Sequence, residues 1–341
     1  MTQRLLPLRD AAELVTQDWR VGNQICQILS SSGHKVIPLS YLCSETRAQP
    51  SGVRAALRKL RELGYPIISS GKEGYLLKPD AQLLDLDETT RNLRPGLVRW
   101  AITYFFYINS TQTAARAMAE REAQEGTMVL AEMQSRGVGR LGRNWSSPYG
   151  GIWLSFLVRP RSTLENQLLT IAASLAITRA VSAVCGIESE LKWPNDVQIG
   201  GRKVAGVLGT AEYQGEHLRS IAVGLGINVN IDLNLLPRSF RDQATSLKTE
   251  LGAEVGRELL IASALNNFNS LYVKLERAGM DEIVDEARKN CNTLGRRIRV
   301  RMGSRSVNGV AQDLSRDGSL ILKVEDGRTI RLYSHDVTLL P

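Results

Sequence analysis

The sequence predicts an α/β (α+β) chain in three parts. A winged helix-turn-helix is expected over residues 20–80, a mixed-sheet domain over 81–290, and a small SH3-like β-barrel over 291–341. Three observations predict it. Apolar residues near the N-terminus recur with a helical period and run into a short hairpin. The middle of the chain alternates strand and helix patterns. The last fifty residues carry no helical period. Residues 1–19 stand outside this division as an N-terminal extension.

In the first part, Val21, Ile25, Ile28 and Leu29 are spaced for one helix, closed by Ser30, Ser31, Ser32 and Gly33. Ile37-Pro38-Leu39-Ser40 opens a second helix through Leu42. After Ala48-Gln49-Pro50, Ser51 is expected to cap a third helix over 52–63, with Val53, Leu57, Leu60 and Leu63 turned inward and Gly64 as its stop. Strands over 66–69 and 74–77 follow, joined by Ser70-Gly71-Lys72-Glu73. This is the winged helix-turn-helix order. Arg54, Arg58, Lys59 and Arg61 crowd the third helix and Lys72 tips the wing. With Ser51 they are the expected DNA contacts, most of them to phosphates.

Residues 78–100 read as a connector with a short helix. Beyond it, strands over 104–108, 128–132, 152–158, 197–199 and 221–229 alternate with helices near 113–123, 168–185 and 258–278. Strands over 297–302, 306–314, 320–323 and 329–333, separated by glycine-containing turns, make the terminal barrel.

Composition narrows the function classes. Hydrophobic residues make up 43% of the 341 and charged residues 23%, the balance of a globular chain. No apolar run is read as reaching the roughly 18 residues that cross a bilayer. The opening MTQRLLPLRDAAEL sets charges among its leucines, so no membrane and a cytoplasmic location are expected. Cys26, Cys43, Cys185 and Cys291 show no C-x-x-C spacing and there are three histidines, which reads as buried reduced thiols and not a zinc site. The net charge of +8 is concentrated at the ends, since residues 1–100 and 291–341 each hold an excess of four cations. That distribution points to nucleic acid for one of them.

Three segments carry chemistry. In Gly137-Val138-Gly139-Arg140-Leu141-Gly142-Arg143-Asn144-Trp145, glycines allow tight turns and free N–H groups, and two arginines offer forks suited to phosphate or carboxylate. Pro148 and Gly150-Gly151 follow too soon for a dinucleotide-binding helix, and there is no Walker lysine. Lys192-Trp193-Pro194-Asn195-Asp196, with Lys203 seven residues beyond in Gly201-Arg202-Lys203-Val204-Ala205-Gly206, holds two cations and a possible Mg²⁺ carboxylate near one hairpin. Gly224-Leu225-Gly226-Ile227-Asn228-Val229-Asn230 places glycines inside a strand, either a bulge or a close ligand approach.

With Asn109-Ser110-Thr111-Gln112 and Ala131-Glu132-Met133-Gln134, these segments resemble the biotin–protein ligases, in register from about residue 20 to the C-terminus. The winged-helix start is similar to the bifunctional repressor–ligase group. The resemblance implies a class II synthetase-like central domain, ATP and biotin as substrates with Mg²⁺, and homodimers through sheet edges. It implies adenylation of biotin, then transfer to a lysine of a biotin carboxyl carrier protein, alongside binding of operator DNA.

Residue by residue, the resemblance implies that Ser110, Thr111, Gln112 and Gln134 hold the biotin ureido head. Gly137, Val138, Gly139, Arg140, Lys203 and Gly206 would surround the rest of biotin and the acyl phosphate. Arg143, Trp145, Lys192, Asn195 and Asn228 fall to the nucleotide, and Asp196 to Mg²⁺. Lys203, Arg140 and Lys192 are the expected catalytic cations. The chain departs from the family pattern at Val138, where arginine is usual, and at Gln112, where asparagine is more usual. Three competing readings are a regulator with lost ligase chemistry, a ligase with a purely structural winged helix, and lipoate attachment.

Overall fold

The computed structural model describes residues 17–340 except 162–165, 278, 303–304 and 334, so most of the expected extension over 1–19 lies outside the described residues. The chain opens with α1 (Gln17–Ser31), α2 (Leu39–Thr46) and α3 (Pro50–Glu62), then the hairpin β1 (Ile67–Ser69) and β2 (Tyr75–Leu77). Ile25, Leu29, Leu42, Val53, Leu57 and Leu60 are buried together, as the helical spacing requires. One detail differs from expectation. Pro50 takes the first helical position, where a missing N–H costs nothing, and Gln49 holds the cap without a side-chain bond. Ser51 is therefore an exposed residue of the first turn and caps nothing. Gly64, at φ +81°, reverses the chain after α3.

The connector holds α4 (Leu86–Arg91), capped by Asp85. The central domain then runs β3 (Ala101–Ile108), α5 (Thr111–Glu120), β4 (Thr127–Val138), β5 (Asn144–Ser147), β6 (Ile152–Val158) and α6 (Asn166–Cys185). It continues through β7 (Glu190–Lys192), β8 (Asp196–Ile199), β9 (Arg202–Gln214), β10 (His217–Ile227), the short α7 (Arg238–Arg241) and α8 (Leu247–Leu251), and α9 (Arg257–Glu276). The mixed sheet has the order β3-β4-β6-β10-β9-β8-β7, with β5 folded back on β4 and only β3 and β4 parallel. Side chains of alternate residues face opposite layers. Val129, Ala131 and Met133 pack with α5 and the N-terminal unit, whereas Met128 and Leu130 pack with α6 and α9. The exposed edge at β3 is covered by α1, whose Asn23 Oδ1 accepts from Phe106 N at 2.9 Å and Tyr107 N at 3.2 Å.

The expectation about apolar runs is corrected by α6. Its 20 residues, mean hydropathy 1.8, are long and apolar enough to span a bilayer by composition. The physical reason is burial on nearly every side, between the sheet and α9, so the helix shows no polar stripe.

After α10 (Met280–Asn290), the C-terminal part is β11 (Arg297–Met302), β12 (Arg305–Leu314), β13 (Leu320–Val324), β14 (Thr329–Leu332) and β15 (Asp336–Leu339). They form an antiparallel five-stranded sheet in the order β14-β13-β12-β11-β15. It is joined to the central domain by Arg288, which donates to Asp313 Oδ1 at 2.7 Å and the Leu314 carbonyl at 2.6 Å. All four cysteines are free thiols; Cys26 and Cys291 are buried, while Cys43 and Cys185 are only partly so.

Candidate active site

The sheet, the Gly137–Trp145 segment and the C-terminal sheet enclose a pocket of about 640 Å³. Its innermost wall is polar. Ser110 caps α5, its hydroxyl accepting from Thr113 N at 3.3 Å, which turns the next two side chains inward. Thr111 donates through N and Oγ1 to Gln134 Oε1, at 2.7 and 3.1 Å, and its Oγ1 lies 2.9 Å from Ser155 Oγ. Gln134 Nε2 donates to Ser147 Oγ at 2.7 Å. Gln112 gives Nε2 to Thr210 Oγ1 and the Ala222 carbonyl, both at 3.0 Å, whereas its buried Oε1 has no partner. That oxygen points at Gly224, where a Cβ would come within 2.5 Å of it. A buried acceptor without a donor is costly unless a ligand supplies one.

The second wall is cationic. Lys203 Nζ is 2.6 Å from Asp196 Oδ1 and 4.8 Å from the centre of the Trp145 ring. Both partners of the ion pair keep partial solvent access, 29% and 21% of their side chains, so the pair can open toward a ligand. Trp145 lies flat on a floor cleared by glycines: a Cβ on Gly226 would meet its indole at 2.6 Å and one on Gly206 at 3.0 Å. Arg140 donates Nη1 to Asn195 Oδ1 at 2.8 Å and Nη2 to the His335 carbonyl at 3.3 Å. Asn195 is itself fixed by Nδ2 to the Val207 carbonyl at 2.7 Å, and Asn228 by Nδ2 to the Thr245 carbonyl at 3.0 Å. Trp193 braces the hairpin against the C-terminal sheet, donating N to Thr293 Oγ1 and Nε1 to the Gly318 carbonyl, each at 3.0 Å.

Nearly all of the residues singled out in the sequence meet here. Thr111, Gln112, Gln134, Val138, Gly139, Arg140, Arg143, Trp145, Lys192, Asn195, Asp196, Lys203, Gly206 and Asn228 line the pocket. Ser110 and Gly137 do not. Ser110 is occupied as a helix cap, and Gly137 is needed where a Cβ would strike the Trp145 carbonyl at 2.4 Å. The glycine-arginine segment is less of a loop than expected, since Gly137 and Val138 end β4 and pair with Trp145 and Asn144. Ser51, Arg54, Arg58 and Lys59 lie apart on the exposed face of α3, with Lys72 exposed on the hairpin turn. Sequence reasoning missed Ser155, the apolar shelf of Leu236, Pro237 and Phe240, and Arg299 and Arg301 in the lining, and Ser147, which accepts from Gln134 behind it. A serine or arginine within a strand pattern announces only its exposure or burial, so nothing in the one-dimensional signal marked them.

Among the described residues no group of three or more His, Cys, Asp or Glu could hold a metal, and Asp196 is the carboxylate of the pocket lining. One carboxylate beside a phosphate-binding surface suits Mg²⁺, which keeps most of its ligands from water and substrate phosphates.

A glycine-floored mixed sheet with this wall of cations defines a carboxylate-activating protein ligase, and known proteins agree. The model of the biotin/lipoate A/B protein ligase family matches residues 104–228, and that of the biotin protein ligase C-terminal domain matches 293–340. The bifunctional ligase/repressor BirA of Bacillus spizizenii is 30% identical over 317 residues, 92% of this chain and 97% of the relative. Its Escherichia coli namesake is 24% identical, over 96% and 95% of the two chains. The biotin protein ligase of Aquifex aeolicus in complex with biotin and ATP superposes with a TM-score of 0.62 at 28% identity, covering 70% of this chain and 98% of that one. The chain belongs to the biotin protein ligases, and along nearly its whole length it is similar to members named as both ligase and repressor.

Proposed function

We propose that the protein joins biotin to a lysine of a biotin carboxyl carrier protein in two steps, using ATP, and represses transcription in response to biotin. The observation that carries the ligand assignment is the buried Gln112 Oε1, an acceptor without a donor, in a pocket that Thr111, Gln134 and Ser155 also line. A ureido ring brings two N–H donors and a carbonyl to that wall; the dithiolane of lipoate brings none.

In the first step a carboxylate oxygen of biotin attacks the α-phosphorus of ATP. The bond from that phosphorus to the β-phosphate oxygen breaks, and pyrophosphate leaves with the electron pair. Lys203 and Arg140 offset the charge of the two anions that must meet, and Lys192 and Arg143 serve the nucleotide phosphates. Asp196 is the carboxylate that would hold Mg²⁺, which would supply positive charge for the nucleotide phosphates, and a Lys203 released from Asp196 would face the acyl phosphate. Trp145, Asn195 and Asn228 form the nucleotide side. In the second step the neutral amine of the acceptor lysine attacks the acyl carbon, AMP departs with the C–O electron pair, and the amine's proton passes to solvent. No covalent enzyme intermediate is required.

For the repressor half, we read α1–α3 and the β1–β2 hairpin as the winged helix, with the division at 80/81 and 290/291 kept as domain boundaries. Ser51, Arg54 and Arg58 recur on one exposed face of α3 with Lys59 beside them, and Lys72 is at the wing. Homodimers fit the far half of β9, which extends past the residues that pair with β8 and leaves a strand edge. Four free thiols fit a cytoplasmic setting.

Single-turnover incubation with biotin and Mg·ATP, gel filtration, and mass analysis of the bound material test the reading. Retained biotinyl-5′-adenylate supports it. Bound biotin without adenylate would leave a regulator without ligase chemistry, and no bound biotin would sink the assignment.

A further inference from the structure

Of the cations on α3, Arg61 has no part in the reading above, and its side chain lies differently from the others. Its guanidinium carbon is 5.5 Å from the centre of the Tyr75 ring on β2, a cation–π contact. Arg54, seven residues earlier, lies two turns along the same flank of the helix. Lys59 is about 200° round the helix from Arg61, on the other flank, where it sits 3.5 Å from Glu62 Oε2. The flank of Arg61 is therefore the one turned to the hairpin. Tyr75 is also where that hairpin is anchored. Its N donates to the Ile37 carbonyl at 2.9 Å, and its own carbonyl accepts from Ile37 N at 2.7 Å. Gly74 passes so close that a Cβ there would lie 2.1 Å from the Ile37 carbonyl oxygen. Beyond it the turn is closed by Ser70 N to the Gly74 carbonyl at 2.9 Å and Ser70 Oγ to Glu73 Oε2 at 3.0 Å. Glu73 is thus engaged, and Lys72 stands exposed at the tip.

Two strands of three residues make a hairpin that is marginal by itself and takes its orientation from what it packs against. The paired bonds to Ile37 hold its main chain to the start of α2, yet a strand can still swing about one pair of bonds. A ring gripped from α3 stops that swing, because a planar guanidinium stacks flat on an aromatic face where a lysine would make a point contact. We infer that Arg61 is a positioning residue for DNA binding and not a phosphate contact. By holding Tyr75 it sets the angle of the wing to α3, so that Lys72 meets the DNA backbone when α3 lies in the groove. This rests on the repressor half of the function proposed above and assigns what orients its wing.

The test uses the full chain with biotin and Mg·ATP, on a duplex that the unaltered protein selects from a random pool. What is read is the slope of log affinity against log salt, with thermal unfolding to show that each variant is folded. Lys72→Ala should reduce the slope by about 0.9, the worth of one phosphate contact. Arg61→Ala and Tyr75→Leu should each do the same, and neither should reduce it further when combined with Lys72→Ala. Tyr75→Phe keeps the ring and should leave the slope unaltered, and Arg61→Lys should recover part of the affinity. In hydroxyl-radical footprints, Arg61→Ala should lose the protections that Lys72→Ala loses and keep those of α3. If Tyr75→Leu unfolds, Arg61→Ala still decides, since its side chain is exposed. A slope reduced by about 1.8 in the Arg61→Ala/Lys72→Ala double variant would make Arg61 a phosphate contact in its own right and overturn the inference. An unaltered slope in Arg61→Ala or in Lys72→Ala would overturn it too. A pool that yields no duplex removes the repressor reading and the inference with it, whereas additive slopes remove the inference alone.

Discussion

The backbone N–H of Tyr149 donates to the carbonyl of Leu63 at 2.8 Å, tying the end of α3 to the segment that carries Trp145 into the pocket. The next residue along, Gly64, touches the opposite wall. A Cβ there would lie 2.6 Å from Leu235 Cδ1, just ahead of the shelf of Leu236, Pro237 and Phe240. The helix read as contacting DNA therefore ends against two walls of the ligand site. Gly64→Ala must either hold a side chain at φ +81° or push Leu235 aside. We expect a loss of about 1–2 kcal/mol in unfolding free energy and a raised half-saturating ATP concentration. Thermal unfolding and an ATP titration check both; a variant unchanged in the second would show that the contact does not reach the site.

Glu132 and Arg257 form an ion pair with almost no solvent access, Nη1 to Oε2 at 2.6 Å. Around it, Leu84 N and Tyr104 Oη donate to Glu132 Oε1 at 2.7 and 2.9 Å, and Arg257 Nη2 donates to the Gln82 carbonyl at 2.6 Å. The pair thus fixes the connector to β4 and α9. Burial is the largest single influence on the arginine's pKa and lowers it, but the charge and hydrogen bond of Glu132, with Tyr149 and Tyr104, together outweigh it and raise it. Glu132→Gln removes the charge and leaves Arg257 buried without a counter-ion, at a cost of about 3–5 kcal/mol. Replacing both residues by methionine should cost less than Glu132→Gln alone, a comparison that urea unfolding makes directly. The opposite order would mean the pair is not what stabilises the junction.

Much of this was legible in the sequence, and for identifiable reasons. Glycines at 137, 206, 224 and 226 mark backbone positions that a side chain would crowd, and such requirements survive in one dimension. The helices α1 and α3 announced themselves by period. Ser51 misled because serine is a good cap, yet the neighbouring Pro50 fits the first helical turn and shifts the start. Long β9 was missed because Gly206, Gly209 and other small residues interrupt any alternation. The Glu132–Arg257 pair spans 125 positions and the Arg140–His335 contact 195. No local pattern encodes partners so far apart.

Lys203 is held between Asp196 and the Trp145 ring, poised over the glycine floor. Lys203→Ala should leave the fold intact, since neither partner is deeply buried, and cut adenylate formation roughly 100- to 1,000-fold, the usual effect of removing one group that stabilises developing charge. Rapid-quench measurement of adenylate with circular dichroism as a control decides it. Near-normal formation would take Lys203 out of the catalytic set.

Alkaline pH should open the junction between the N-terminal unit and the sheet before the rest of the chain. Burial pushes Tyr65 and Tyr104 well above the ordinary tyrosine range, and burial followed by the nearby Glu132 charge pushes Tyr149 up to about 12. In the unfolded chain each ionises near pH ~10. A proton held more tightly in the folded state contributes stability that is complete below the unfolded value and lost as pH rises through the folded one. For Tyr149 that window runs from pH ~10 to about 12. Tyr149→Phe loses the bond from Tyr149 Oη to the Gln82 carbonyl, 2.8 Å, worth about 1 kcal/mol at neutral pH, and should flatten part of the alkaline loss. Tyrosinate absorbance recorded with urea midpoints from pH 8 to 12 would show the buried tyrosines ionising only as stability falls. Ionisation of all nine tyrosines near pH ~10 with the urea midpoint unchanged would refute it.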